Sequence, residues 1–445
     1  MSDCLKLLRY NTGTDKKVLI KFKDKFSAVI FNATIVAYSK SAVADLVAVH
    51  KNQYIIDPQT HIYQQDIKNV QSVDKNGNIA VKKSVDKYLS ELPLVLKTHF
   101  YQKGGNLSAK DINDAVDELV DKVYFFDSHY VDSYIKTKEY DKYLKFAKIG
   151  PSPAVVIAPY FMLKSTFSEN EINEWLELNS LCAQRFIEKN ADKYKSGIQI
   201  VMDKGVLSNS VIINKIKKCY EHISADYAFI WIDEFSLFDA TPLQQKQFRL
   251  LLEALTEIGI KPVMAYGGYD AILLCNKDLP YRMYGVAQSV GYGEARAVTP
   301  VGGGLPVNKY YFYPLHLRMN LSEVTSILMR QGFFSMDPKE ASDRFYNEIC
   351  SCEQCKATIG QNIHMFDRFN ESSDYLMRNG IRRNRPTNDA SIIAAMHFLY
   401  SKTREWAAVE EKSFDVLTKE LKDGYNKYLP AQVDKIASWY STYEL

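Results

Sequence analysis

The 445-residue chain carries 56 Lys and Arg against 53 Asp and Glu, with 46% apolar and 24% charged residues. These are ordinary globular proportions, sufficient for a large core, and a pI of 8.2 excludes a uniformly basic nucleic-acid-binding domain. No run approaches the roughly 18 apolar residues of a membrane span, and the first residues lack the apolar stretch of a secretion signal, so a cytoplasmic location is expected.

In chain order, strand-like apolar runs fall at Ser27–Tyr38, Tyr54–Ile56, Ala154–Ala158, Gly197–Met202, Ala228–Ile232, Pro262–Tyr266, Met283–Val290 and Lys309–Leu315. Stretches of helical period separate them, including Asn170–Asn190, Ser210–His222 and Leu243–Ile258. Strands alternating with helices predict βαβ units and a parallel sheet, and runs rich in Val, Ile and Phe fit strands covered on both faces. Eight runs without a Gly-rich phosphate turn after the first favour a (β/α)₈ barrel over an open doubly wound sheet. The expected division is a barrel over 1–345 with a helical insertion around 85–133. A zinc-binding and helical C-terminal part over 346–445 follows, with a helix at Leu321–Gln331 before it and a polar loop at Asn370–Asn388 within it.

Barrel chemistry sits at the C-terminal ends of the strands. Polar residues there are Asp57, Asp203, Asp233 and Glu234, Asp270, Gln288 to Glu294, and His316, with His61 and the Gly302–Gly304 run nearby. A carboxylate at such a position serves either as an acid/base or as a turn former, and Asp57 before Pro58 suits both. Asp233 and Glu234 end the most apolar strand, where a ligand contact and a structural ion pair compete as explanations. Asp337, before Pro338, has the form of a helix N-cap as well as of a strand-end carboxylate.

Cys350-Ser-Cys352-Glu-Gln-Cys355 is the sharpest local signal, since three thiols on one tight turn converge on a tetrahedral ion. Structural Zn²⁺ is the expected cofactor, with His397 on a helix-like run as the fourth ligand and His364 as the alternative. Cys4, Cys182, Cys219 and Cys275 are scattered and read as core fillers.

The stretch from Tyr313-Pro-Leu-His-Leu through Gly332-Phe-Phe-Ser-Met-Asp337 to the cysteine cluster resembles the tRNA-guanine transglycosylase superfamily. Ile56-Asp57-Pro58 falls at that family's Asp-Ser-Gly element, and Gly285 to Glu294 at its Gly-Gly turn with a later glutamate. The resemblance implies guanine exchange for a 7-deazaguanine base in nucleic acid, through a covalent aspartyl-glycosyl intermediate. Asp337 would be the nucleophile and Asp57 the acid/base opposite it, with Asp233, Glu234, Gln288 and Gly291 recognising the base. Three departures favour a divergent branch acting on DNA over tRNA. Asp57-Pro58-Gln59-Thr60 replaces Asp-Ser-Gly-Gly, the Asp337-to-Cys350 segment is short, and the family's zinc histidine aligns near Ser391. The alternatives are an inactive barrel that binds nucleic acid or protein partners, and an unrelated barrel hydrolase using Asp233 and Glu234.

Overall fold

The computed structural model describes residues 4–11, 13–50, 53–73, 77–136, 152–291, 293–299, 307–376 and 382–443. Eight parallel strands close into a barrel: β1 Leu5–Tyr10, β2 Ala28–Asn32, β3 Tyr54–Asp57, β4 Pro153–Ile157, β5 Ser196–Met202, β6 Tyr227–Ile232, β7 Lys261–Met264 and β8 Gly285–Ser289. Each pairs with the next, and closure is direct, with Leu5 opposite Gly285 and Arg9 opposite Ser289.

The (β/α)₈ expectation holds, but three assignments within it change. The first strand is Leu5–Tyr10, hidden in the sequence because Lys6 and Arg9 interrupt its apolar run. The run at Lys309–Leu315 is not the eighth barrel strand. Its strand, β9 (Lys309–Phe312), pairs antiparallel with β10 (Leu317–Asn320), outside the barrel. The tight turn between them places His316 in the left-handed region at φ 51. The run at Ser27–Tyr38 is also divided, since its strand stops at Asn32 and Ala33–Tyr38 is helical.

The helices form where sequence period and capping agree. Helix α1 (Gly13–Phe22) follows β1, and Val116–Lys136 (α2) packs on β4 beyond the helical segments that begin at Lys83. Helix α3 (Glu169–Asn190) starts at a reciprocal cap between Ser168 and Glu171, and α4 (Ser210–Tyr220) starts at Asn209. Helix α5 (Pro242–Glu257) has Thr241 as its cap and Pro242 at the first position. The short α6 (Tyr269–Leu273) leaves room on the ring. That room is taken by the long α10 (Asn388–Glu411), which packs against both α1 and α6.

Two apolar layers result. Leu7, Ile30, Ile55, Ile157, Phe229 and Val263 fill the barrel lumen, while Leu8, Phe31, Ile56, Ile200 and Ile230 face the helices, as alternation along a strand requires. Beyond the barrel lie α7 (Leu321–Arg330), α8 (Pro338–Glu348), α9 (Glu353–Ile359) and two last helices, α11 (Phe414–Tyr428) and α12 (Val433–Tyr443). The expected polar loop at Asn370–Asn388 instead contains the strands β11 (Ser372–Leu376) and β12 (Arg382–Pro386), an antiparallel pair. No described helix is long and apolar enough to cross a membrane.

Candidate functional site

The barrel mouth is sealed by its own residues. Asp57, at the end of β3, has no exposed surface, and its Oδ2 lies 2.9 Å from Nη1 of the equally buried Arg9. Its Oδ1 accepts the Tyr160 hydroxyl at 2.6 Å and the Gln59 backbone N–H at 3.2 Å. Arg9 also donates to the Ala265 carbonyl at 2.8 Å, and its guanidinium lies 3.9 Å from the centre of the Tyr266 ring. Burial works against the Arg9 charge, yet Tyr266 and Asp57 outweigh it and hold the guanidinium above its ordinary value. Burial and the Asp57 charge push Tyr160 well above the phenol range, so it remains a donor. His61 stacks on Tyr160, and burial lowers it to about 4.

The chain after β8 then crosses this mouth. The Arg296 carbonyl accepts the Trp231 indole N–H at 3.0 Å and the Glu234 backbone N–H at 3.2 Å. The Val298 N–H donates to Asp233 Oδ1 at 2.6 Å, and the Val298 side chain joins the lumen cluster. Asp233 therefore secures this crossing segment, while Glu234 is exposed in a left-handed conformation at φ 47. Gln288 is buried, and its amide has no hydrogen-bond partner among the described residues.

Asp337 lies in a different environment. It is exposed, and its Oδ1 accepts the N–H groups of Lys339 and Glu340 at 3.0 and 3.2 Å as the cap of α8. The structure does not bring Asp57 and Asp337 into one cavity, because one carboxylate is sealed and the other caps a surface helix. Asp203 is likewise a cap, accepting from Val206 and Ser165. The Gly302–Gly304 run lies outside the described residues.

The metal-type cluster is assembled as expected. Cys350 and Cys352 lie on the turn before α9, Cys355 lies within it, and His397 comes from α10. All four are buried, with their ligand atoms within 4.8 Å of one another. His397 Nδ1 is 3.9, 3.4 and 3.3 Å from the three sulfurs in sequence order. A tetrahedral ion with S and N bonds of roughly 2.3 and 2.0 Å sets N···S edges of about 3.5 Å, so the donors fit. The Nε2–H of His397 donates to the Tyr311 carbonyl at 2.7 Å, which orients Nδ1 toward the thiols. His364 is exposed beside Phe334 and is not a ligand.

A cavity of about 910 Å³ opens next to the sealed mouth, between the ends of β6–β8 and the C-terminal part that carries the cysteine cluster. Of the residues expected to recognise a base, Gly291 lines it, whereas Asp233, Glu234 and Gln288 do not. Its floor is Gly267-Gly268, where side chains would collide: a Cβ at Gly267 would lie 2.7 Å from Val286, and one at Gly268 2.9 Å from Asp270. One wall is aromatic (Phe235, Tyr269, Tyr311 and Phe398), and Glu294, His316 and Arg318 supply polar groups.

Behind that wall lies a charged network that sequence reasoning did not find. The fully buried Lys402 Nζ is 2.9 Å from Glu294 and 3.0 Å from Glu405. Glu405 is 2.7 Å from His316 Nδ1 and also accepts from the Tyr311 hydroxyl. Burial opposes ionisation of Glu405, but the Lys402 charge and the His316 bond prevail and lower its pKa. Burial lowers His316 against the opposing pull of Glu405, and its Nδ1–H donates to the carboxylate. The i, i+3 spacing of Lys402 and Glu405 was the available signal, but a surface pair has the same spacing.

At the lip of the cavity stands the β11–β12 hairpin. Arg382, Arg383 and Arg385 are exposed on it, and Ser373, Tyr375 and Arg385 reach the cavity rim. The chain matches no family model and no curated protein sequence.

Proposed function

We propose that this chain binds a nucleic-acid strand along the β11–β12 hairpin and admits one unstacked nucleotide to the adjoining cavity. One observation carries the reading: an exposed hairpin presents three exposed arginines in five residues beside a cavity with aromatic walls. Arginine fits phosphate through its planar fork, and a base stacks on an aromatic or guanidinium face. The cavity volume falls within the roughly 300–1,000 Å³ of small-ligand sites. The ion of the Cys350, Cys352, Cys355 and His397 site is zinc in this reading, because three thiolates and an imidazole in a closed site suit a structural Zn²⁺.

The test is binding of a fluorescent single-stranded DNA between roughly 50 and 200 mM salt, for wild type and for Arg382→Ala/Arg383→Ala/Arg385→Ala. Three lost phosphate contacts reduce the slope of log affinity against log salt by about 2. Binding that is indifferent to salt, or equal in the triple variant, overturns the proposal.

A second reading, exchange of guanine for a 7-deazaguanine base, is favoured by the position of Asp57 at the end of β3. It requires the segment around Val298 to lift and the Arg9–Asp57 pair to open. Release of labelled guanine from DNA or tRNA by wild type, abolished in Asp57→Asn, would establish it. Asp337→Ala should leave such release unchanged, since that carboxylate caps a helix.

A further inference from the structure

The metal-type cluster and the cavity share a wall only two elements thick. On β9, successive side chains point to opposite faces. Tyr310 points to the cluster, with its ring 4.1 Å from that of His397 and its hydroxyl 3.2 Å from Cys355 Sγ. Tyr311 points to the cavity, where its hydroxyl meets Glu405 and lies 2.8 Å from Lys402 Nζ. Its carbonyl turns back to hold His397 Nε2.

Helix α10 repeats this arrangement. His397 enters the cluster, Phe398 lines the cavity with the Arg318 guanidinium 3.6 Å from its ring centre, and Lys402 and Glu405 anchor the charged network. The network ends at the cavity surface, on Glu294 and on His316, which stacks 3.6 Å from Tyr269.

We infer that metal occupancy of the Cys350, Cys352, Cys355 and His397 cluster sets the shape of the cavity and so controls strand binding there. The inference rests on the strand-binding reading for its ligand, but not for its mechanism. A metal bonded to both α9 and α10 fixes α10 against β9. Lys402 and Glu405 are wholly buried, and buried charges are tolerated only where every partner is in place. One register of α10 therefore satisfies Glu294, Glu405, His316 and Tyr311 together. Without the metal, three thiols and an imidazole no longer impose that register. The cavity wall then loses the arrangement that the network needs.

Two measurements test this on the full chain. The first compares zinc-loaded and chelator-stripped protein by the imidazole NMR signal of His316, assigned with His316→Gln. Stripping should move that signal, and an unchanged signal in folded, stripped protein overturns the inference. The second stays with loaded protein and uses reciprocity, since a ligand favoured by the metal must strengthen metal binding by the same factor. A saturating single-stranded oligonucleotide should raise zinc affinity about tenfold in a chelator competition. Tyr311→Phe, which keeps the backbone bond to His397 but removes the hydroxyl, should retain zinc and abolish that gain. A zinc affinity indifferent to bound oligonucleotide also overturns the inference. If the His316 signal moves but no oligonucleotide binds to loaded protein, the strand-binding reading fails and the metal-to-cavity link stands.

Discussion

Replacing Asp57 by Asn removes a charge from the barrel mouth while conserving volume, so any loss of stability reports electrostatics and not a cavity. Both members of the Arg9–Asp57 pair are essentially without exposed surface, and their contact is 2.9 Å. Removing one partner of such a pair costs about 3–5 kcal/mol, because the other charge is left buried and uncompensated. Arg9 would retain the Ala265 carbonyl at 2.8 Å and Asn32 Oδ1 at 3.2 Å, neutral acceptors that soften the penalty. We therefore expect about 3 kcal/mol for Asp57→Asn, read from equilibrium urea denaturation at neutral pH. Arg9→Met with Asp57→Leu should recover most of the loss, since both charges leave together. A cost below about 1 kcal/mol for Asp57→Asn would refute the structural role. A gain in stability would indicate a carboxylate held in strain for chemistry and would restore the exchange reading.

His61 is buried neutral with its pKa lowered to about 4, whereas the unfolded side chain titrates near 6.5. The unfolded state binds the extra proton between these values, so stability falls as pH drops from about 6.5 to 4, by about 3 kcal/mol in total. His61→Phe should flatten the pH dependence of the urea midpoint in that window, and an unchanged slope would contradict the assignment. Metal analysis of purified wild type should return one zinc per chain and of Cys352→Ser far less; full retention would refute ligation by that thiol. Gly424 lies inside α11, where Ala is ordinarily better by about 1 kcal/mol. A Cβ there would sit 2.0 Å from the Pro314 carbonyl oxygen, so Gly424→Ala should destabilise instead. Thermal melting decides the sign.

What the sequence revealed follows the range of the interactions involved. Barrel strands β2 to β8 and the long helices α3, α4 and α5 were legible from local period. The cysteine cluster was legible from spacing, but its histidine only as one of two candidates, His397 on a helix-like run and His364 nearer in sequence, and the structure brings in His397. Leu5–Tyr10 was not, because Arg9 looks like a surface residue until Asp57, 48 positions away, is known to lie beside it. Lys309–Leu315 misled for the opposite reason, since an aromatic run suits a barrel strand and a buried hairpin equally. The network of Lys402, Glu405, Tyr311 and His316 joins residues 89 and 91 positions apart, and no local pattern encodes such a meeting.

These same long-range contacts decide where a ligand can bind. A (β/α)₈ barrel ordinarily offers the centre of its C-terminal face. Here Arg9, Asp57, Tyr160 and Tyr266 fill that centre, and Val298 closes it. Among the described residues a cavity of about 910 Å³ lies instead beyond the short α6, where α10 stands in the ring and brings the metal-type cluster with it. The walls of that volume are therefore jointly built: the floor is Gly267-Gly268 from the barrel, and the sides are Tyr311 and His316 from the β9–β10 hairpin and Phe398 from α10. A site with two owners depends on whatever holds them together. In this molecule the cysteine cluster reaches one side through Tyr310 and His397, and Lys402 spans to Glu294 on the other. If the cavity binds a strand and the cluster a metal, as proposed above, the two are linked equilibria, with α10 as their common element.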